Sequence, residues 1–245
     1  MSPRITFSTA ARVLRQLLAD RRTIVLLLVV PPLLIVLLRY VLDGDPDGFD
    51  RIAAPMVGLF PFITMFLVTS IAMLRERTTG TLERLLTMPL AKLDLLAGYG
   101  IAFALVAAVQ AVITSAVAFG LLDVEIAGSV PWVVLLAIGN AVLGMSLGLL
   151  ASAFARTEFQ AVQFLPAFVL PQLLLAGLFA PREAMAPVLE AASYALPLPY
   201  AYDAIVRVAG GEGMSGDLAL DIAVIVVGSV LALLLGAATL RRRTP

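Results

Sequence analysis

The amino-acid sequence predicts an all-α membrane protein with six transmembrane helices. Of its 245 residues, 61 % are hydrophobic and only 14 % are charged, whereas roughly a quarter of the residues in a soluble globular chain are charged. Apolar runs of about 20 residues, the length that crosses the hydrocarbon core of a bilayer, recur along the whole chain. Because a helix satisfies its own backbone polar groups in lipid, we expect each run to be helical.

Six apolar runs are long enough to be transmembrane spans. They are residues 23–42, 52–74, 95–122, 131–154, 159–180 and 222–240. We do not expect the first run to be a cleaved signal peptide, because 22 residues precede it and it contains Pro31 and Pro32, where we predict a kink. Residues 1–245 are predicted to form a single transmembrane domain.

Residues 1–22 are predicted to form an amphipathic helix in the headgroup plane of the membrane. Its cationic residues are interspersed with valine and leucine, the pattern of a helix that lies on a bilayer surface. Lipid anchoring is the simplest role for this helix. The basic residues assigned to this interfacial helix are Arg12, Arg15, Arg21 and Arg22.

The distribution of basic residues predicts the orientation of the spans. If the N-terminus is cytoplasmic, 13 of the 17 lysine and arginine residues fall on the cytoplasmic side. This asymmetry satisfies the positive-inside rule with both termini in the cytoplasm. The polar stretch between the second and third spans is then cytoplasmic.

The composition argues against catalytic and ion-coupled functions. The chain has no cysteine and no histidine, which excludes disulfides, thiolate or imidazole metal ligands and histidine catalysis. No catalytic residue and no metal site are therefore predicted. An ion-coupled transporter is expected to carry an ionisable group near the bilayer midplane. Asp94, Glu158 and Asp221 instead fall at span ends, where we expect water to reach them.

The polar stretch between the second and third spans has the features of a short amphipathic helix. Thr79 and Gly80 favour a helix start, Glu83 falls in the first turn where the helix dipole favours an anion, and Pro89 marks the end. Leu82 and the leucines that follow it lie on one face. This helix could be a surface connector, an anchor for anionic lipid, or a docking element.

The run ERTTGTLERLLTMPL at residues 76–90 resembles the signature of the ABC-2 type transport permeases, an acidic residue followed by G-T-x-E-x-L and a closing proline. The segment 176–207 and the proline-containing first span resemble the same family. In that family the signature forms a coupling helix that docks into the ATPase subunit. The resemblance implies docking roles for Glu76, Gly80, Thr81, Leu82, Glu83, Leu86 and Pro89.

The resemblance also implies roles for other segments. The N-terminal helix is expected to contact the ATPase and the coupling helix, and Glu76 is expected to join the coupling segment to that N-terminal helix. Residues 182–216 are expected to form an extracytoplasmic re-entrant pair of helices with a gate. Gate candidates are Pro197, Pro199 and Tyr200, and candidates for the substrate path, chosen only for their mid-span positions, are Thr64, Phe66 and Asn140.

The function implied is that of a permease subunit of an ATP-driven exporter. The sequence contains no G-x-x-x-x-G-K-[ST] motif, so ATP and Mg²⁺ are expected in a separate ATPase subunit, and this chain is not expected to be an enzyme. The other expected partners are a second permease copy or a related permease, and membrane lipid, but not nucleic acid. The expected location is a bacterial inner membrane.

The cargo stays open at the level of the sequence. Short outer loops favour a drug or another amphiphile, but a polysaccharide or glycolipid is the alternative cargo. A membrane scaffold without transport activity is a further alternative, because a fold does not guarantee a function.

Overall fold

The computed structural model describes residues 3–79 and 92–239, and all regular structure in these two ranges is helical. Two π-helical segments cover Ala116–Leu121 and Leu165–Val169, and a short 3-10 turn covers Arg182–Ala184. The α-helices are α1 Pro3–Ala19, α2 Arg21–Val41, α3 Pro46–Thr78, α4 Lys92–Ser115, α5 Val130–Ala151, α6 Glu158–Phe164, α7 Leu170–Leu174, α8 Pro187–Ser193, α9 Pro197–Ala209 and α10 Gly216–Ala238.

Five helices of the described ranges are long and apolar enough to cross a membrane. They cover Arg21–Val41, Pro46–Thr78, Ala97–Leu121, Val130–Ala151 and Gly216–Ala238. The remaining predicted span, 159–180, corresponds to a helical run from Glu158 to Leu174 that is divided into α6, a π segment and α7. Proline cannot donate a backbone hydrogen bond, and Pro166 and Pro171 interrupt the regular α-helical ladder there.

The break between α1 and α2 is set by Asp20, which caps α2. Its carboxylate accepts hydrogen bonds from the backbone N–H of Thr23 at 3.2 Å and from the Thr23 hydroxyl at 2.7 Å. Such a cap satisfies donors that have no partner inside the helix. The predicted interfacial helix therefore ends at Ala19, while Arg21 and Arg22 form the first turn of α2, which continues through Pro31 and Pro32.

The centre of the bundle is the pair α3 and α5. Phe62, Phe66 and Met65 of α3 are fully buried, as are Leu143 and Asn140 of α5. The two backbones touch at Gly144, where a Cβ atom would lie 2.2 Å from the Phe62 carbonyl oxygen. Small residues allow this kind of close approach between membrane helices.

The outermost helices expose apolar side chains along their length. In α2 these include Val25, Leu26, Val29, Leu33 and Leu37, and in α10 they include Val226, Val227, Val230, Leu231 and Leu234. A soluble protein rarely exposes a continuous apolar surface of this kind. In a membrane protein the same surface faces lipid or a partner helix.

The segment after α7 folds as two helices, α8 and α9. The buried face of α9 consists of Leu198, Ala201, Ala204 and Ile205, all fully buried against the long helices. The Asn140 side chain of α5 donates a hydrogen bond to the Ala201 carbonyl at 2.9 Å. α9 is therefore part of the packed core and not a loop on its surface, whereas Val188 and Leu189 of α8 are exposed.

Candidate functional site

The predicted docking segment begins inside α3. Glu76 lies in the last turn of this helix, and the N–H of Thr79 closes that turn on the Arg75 carbonyl at 2.9 Å. Other predicted docking residues lie outside the described part of the chain: Gly80, Thr81, Leu82, Glu83, Leu86 and Pro89. What the structure describes is the place where α3 leads into this segment.

The end of α3 contacts α1 and α4 through Arg12, Tyr99 and Glu76. The Arg12 guanidinium of α1 donates a hydrogen bond of 2.7 Å to the Tyr99 hydroxyl of α4 and lies 5.5 Å from the centre of that ring. The same guanidinium lies 3.6 Å from Oε1 of Glu76. One cation thus connects three helices, by a hydrogen bond, a cation–π contact and an ion pair.

Arg12 differs from the other basic residues that were assigned to an interfacial role. Arg15, Arg21 and Arg22 are exposed, whereas Arg12 is only partly exposed and points towards Tyr99. The sequence pattern placed the four residues in one group because all are basic and near apolar neighbours. The contact with Tyr99, which lies 87 positions away in sequence, could not be found from spacing along α1.

The packing of α1 against α4 is close because Gly98 has no side chain. A Cβ atom at Gly98 would lie 2.6 Å from the Cβ of Thr9. One turn before Gly98, Asp94 is only 3 % exposed, and the Thr6 hydroxyl lies 3.5 Å from one of its carboxylate oxygens. The expectation that water reaches Asp94 is therefore wrong, because α1 covers it.

Arg75 and Arg77 connect the end of α3 to two further helices. Arg75 forms a bidentate pair with Glu158 at the start of α6, with distances of 2.7 and 3.1 Å. The hydrogen bond from Arg75 lowers the pKa of the Glu158 carboxyl below its usual value. Arg77 donates a hydrogen bond of 3.3 Å to the Thr239 hydroxyl after α10.

These contacts define what we call the α3-end cluster: Arg75, Glu76 and Arg77 with their partners. It joins the last turn of α3 to α1, α4, α6 and α10. The last turn of α3 is therefore in contact with most of the bundle.

In the described ranges, no group of acidic side chains is arranged to hold a metal ion.

The three residues predicted for a substrate path lie in different surroundings. Thr64 lines a cavity between α1, α2, α3 and α4, and its hydroxyl accepts a hydrogen bond from the Gln110 amide. Phe66 is fully buried, and its ring stacks on Phe168 at 6.4 Å. Asn140 is also fully buried and holds α9 through the hydrogen bond to Ala201. The structure does not bring these three side chains into one site.

The predicted gate residues lie in and around α9. Pro197 is at the helix start, Pro199 is buried, and the Tyr200 hydroxyl donates a 3.0 Å hydrogen bond to the Tyr194 carbonyl. Tyr200 also takes part in an ionic network that the sequence did not predict.

The first part of that network surrounds the buried residue Arg182. Its guanidinium forms an ion pair with Asp203, and it lies 5.1 Å from the centre of the Tyr200 ring and 5.6 Å from that of Tyr194. Burial raises the pKa of Asp203, while Arg182 and Arg207 act in the opposite direction. The two partners of the ion pair are 21 positions apart in sequence, and no spacing rule connects them.

The second part of the network surrounds Arg207 in α9. Its guanidinium lies 3.3 Å from Glu212, 3.4 Å from Asp217 and 3.2 Å from Asp221. Asp221 is only 3 % exposed. The expectation that water reaches this carboxylate is therefore wrong as well, because Arg207 and α9 lie against it. We call the contacts of Arg182 and Arg207 the α9 network.

Comparison with known proteins places the chain in a family. A profile of the ABC-2 type transporter matches residues 6–209, a range that includes most of α1, the end of α3 and α9. The chain belongs to the ABC-2 type transporter family. It is a transmembrane permease domain of that family, distinct from the ATPase.

Two relatives show how far this likeness extends. The chain is 30 % identical over 151 residues to the "Probable multidrug ABC transporter permease YbhR" of Escherichia coli (strain K12), over 60 % of this chain and 40 % of that protein. It is 28 % identical over 144 residues to "ABC transporter G family member 20" of Dictyostelium discoideum, over 58 % of this chain and 20 % of that protein. The matched region is therefore less than half the length of either relative.

Proposed function

We propose that this ABC-2 permease exports an amphipathic compound, and that a separate ATPase subunit drives it by acting on residues 76–90. Two identical or related permeases and two ATPase subunits would form the working unit, with ATP and Mg²⁺ bound by the ATPases. The signature run and the family membership support the docking role of Glu76, Gly80, Thr81, Leu82, Glu83, Leu86 and Pro89.

The observation that carries this proposal is the α3-end cluster. Coupling requires an element with two states that nucleotide binding can bias. Arg75, Glu76 and Arg77 immediately precede the signature glycine and hold α3 to α1, α4, α6 and α10. A push on the docking segment would therefore displace several helices together.

The orientation and the span count are part of the same proposal. We propose six spans, with residues 159–180 as the fifth, and both termini in the cytoplasm. The excess of basic residues on that side supports this arrangement, and it places α8 and α9 on the outer side of a bacterial inner membrane. Single cysteines introduced at Ala11 and Ala184, in a chain without native cysteine, test it by labelling in intact cells with an impermeant thiol reagent. Labelling of the Ala184 variant alone is expected, and labelling of the Ala11 variant would overturn the orientation.

Co-purification tests the docking proposal. The chain is expressed with its candidate ATPase subunit, and the wild type is compared with Glu83→Arg and with Glu125→Arg, a matched charge reversal at an exposed position of the loop between α4 and α5. We expect the Glu83 variant to lose the ATPase subunit or its activity, and the Glu125 variant to keep both. Absence of ATPase from every sample, with folded and inserted permease, would leave a surface connector as the role of residues 76–90.

A drug or another amphiphile is the cargo we favour. The relative named as a probable multidrug permease supports this choice. Export measured in inverted vesicles with fluorescent amphiphiles checks it. ATP-dependent movement of a glycolipid but of no small amphiphile would favour the polysaccharide class instead, and movement of neither would favour a scaffold.

A further inference from the structure

A cavity of about 570 Å³ lies between α1, α2, α3 and α4. Its lining on α3 extends from Thr64 to Thr79, a length of about 22 Å at the rise of an α-helix. This volume is within the range of sites that bind drug-sized molecules. The wall reaches the outer surface of the bundle at Leu26, which is 63 % exposed.

The lining of this cavity is divided into a polar end and an apolar body. At the end nearest Ala19, the lining includes Gln16, Asp20, Arg75 and Glu76. Beyond that end it is mainly apolar and includes Leu27, Val30, Leu67, Val68 and, from α4, Phe103, with Thr64 at the far end. An apolar body with a polar group at one end is the shape of an amphiphile.

The hydrogen-bond donors at the polar end already have acceptors. Nε and one terminal nitrogen of Arg75 bind the carboxylate of Glu158, which does not line the cavity. Arg12, next to the cavity, donates to Gln16 and to Tyr99. An anionic headgroup would have to compete with these partners.

The acceptors at the same end have capacity for a cation. Oε2 of Glu76 is buried and has no hydrogen-bond partner within the described ranges, and its Oε1 is 3.6 Å from Arg12. A buried carboxylate oxygen without a donor costs free energy that a bound cation can recover. Asp20 adds a second carboxylate to the lining; each of its oxygens accepts one hydrogen bond from Thr23, and its negative charge has no ion-pair partner among the described salt bridges.

We propose that this cavity binds amphiphiles with a cationic headgroup, with the cation beside Glu76 and Asp20 and the apolar body along Leu27 and Val68. The inference deepens the proposed function by naming a class of cargo, and it rests on that function only for the transport step. Binding itself requires neither the ATPase nor ATP. It can therefore be tested on the purified chain.

The test is protection of one introduced cysteine from a neutral maleimide. Ala72 lines the cavity and the chain has no native cysteine, so Ala72→Cys provides a single reactive thiol. The purified variant in phosphatidylcholine nanodiscs is labelled with N-ethylmaleimide in the presence of dodecyltrimethylammonium or of laurate, which has an alkyl chain of the same length and the opposite charge. Ala184→Cys, exposed outside the cavity, controls for general effects on the reagent.

We expect dodecyltrimethylammonium to protect the thiol of the Ala72→Cys variant at a concentration at least tenfold below the protecting concentration of laurate. It should leave the Ala184→Cys variant unprotected. Adding Glu76→Gln should raise the half-protecting concentration of the cation by about tenfold, the size expected for losing one unit charge a few ångströms away in a partly buried site. Glu125→Gln, a matched neutralisation outside the cavity, should not change it.

Equal protection by the two amphiphiles, no protection by either, or a cation effect that survives Glu76→Gln would each overturn the cationic site. These outcomes are separate from the docking proposal, because the binding assay contains no ATPase. A permease that binds the cation but does not co-purify with an ATPase would keep the site and overturn the proposed coupling.

Discussion

The α3-end cluster and the α9 network both use arginine to connect helices, but one ion pair from each, Arg75–Glu158 and Arg182–Asp203, differs strongly in burial. In the Arg75–Glu158 pair, both side chains are more than half exposed. In the Arg182–Asp203 pair, the arginine side chain is only 7 % exposed. Exposed ion pairs contribute little to stability, whereas breaking a buried pair leaves an uncompensated charge.

This difference fits different tasks for the two regions. The α9 network fixes a short helix in the core by surrounding two arginines with carboxylates and aromatic rings. The Arg75–Glu158 pair of the α3-end cluster is the more exposed and weaker contact, which suits the coupling movement that we propose for the end of α3. Four predictions test this comparison.

The largest expected effect is at Arg182. Replacing it with methionine leaves Asp203 without its cation and removes the contacts with Tyr194 and Tyr200, so we expect a loss of about 3 kcal/mol in the free energy of unfolding. Denaturant titration of the purified chain in mixed micelles measures this loss. Arg39→Met is the control, because the Arg39–Asp43 pair is a local contact with a 78 % exposed carboxylate. An equal loss in both variants would contradict the difference between buried and exposed pairs.

Gly98→Ala tests the close contact of α1 with α4. The added Cβ would overlap Thr9 and come within 2.9 Å of the Thr6 carbonyl, so we expect about 1–3 kcal/mol of destabilisation from overpacking. Gly100→Ala on the same helix is the control, because its nearest neighbour is Leu233 at 4.0 Å. That variant should be neutral or more stable by up to about 1 kcal/mol, since alanine favours a helix. If Gly98→Ala is no more destabilising than Gly100→Ala, α1 does not contact α4 closely at Gly98.

Asp20→Ala removes the cap of α2 and one carboxylate of the cavity. Loss of an N-cap costs about 1 kcal/mol, and Asp20→Asn should preserve most of that free energy because asparagine also caps helices. The hydrogen bond from the Thr23 hydroxyl lowers the pKa of Asp20, so the charged cap is present at neutral pH and is lost as the pH falls through the folded-state pKa. Unfolding titrations of both variants at neutral and acidic pH check the prediction. Similar losses of unfolding free energy for Asp20→Ala and Asp20→Asn at neutral pH would contradict it.

The smallest expected effect is the coupling between Arg75 and Glu158. A double-mutant cycle with alanine should give about 0.5 kcal/mol or less, and salt should reduce it. Because Arg75 lowers the pKa of Glu158, the coupling is present above the ordinary glutamate pKa and is lost as the pH falls through the folded-state value. A coupling above about 2 kcal/mol would show that the α3-end cluster is as strong as the α9 network.

Several features of the fold could be predicted because each depends on local sequence. The starts and ends of α2 and α5 lie within three residues of the predicted spans, since apolar runs of membrane length are a strong signal. α10 begins six residues before its predicted span, and α1 ends three residues before the predicted end of the interfacial helix, because Asp20 caps α2 and cuts α1 short. The division of 158–174 into three pieces was also missed, since the sequence showed only an apolar run and not how its prolines disrupt the hydrogen-bond ladder.

The candidate site was predictable only in part. The resemblance implied that Glu76 joins the signature segment to the N-terminal helix, and Glu76 lies 3.6 Å from Arg12 of that helix. The contact of Arg12 with Tyr99 was not predicted, because it depends on how α1 lies against α4. The cavity and the α9 network were not predicted either, because their residues are distributed over several segments of the chain. Asp94 and Asp221 were expected to reach water from their positions at span ends, and neighbouring helices cover them instead.

A bundle of membrane helices, the position of most apolar runs and the family signature could all be predicted from local sequence. Hydrophobicity, helix caps and a contiguous motif are all local properties of a chain. Which arginines turn inward, which carboxylates are buried and where a cavity lies depend on the packing of the helices. Those properties depend on which helices are neighbours, and helix neighbours are set by the packing of small residues such as Gly98 and Gly144 against distant backbone.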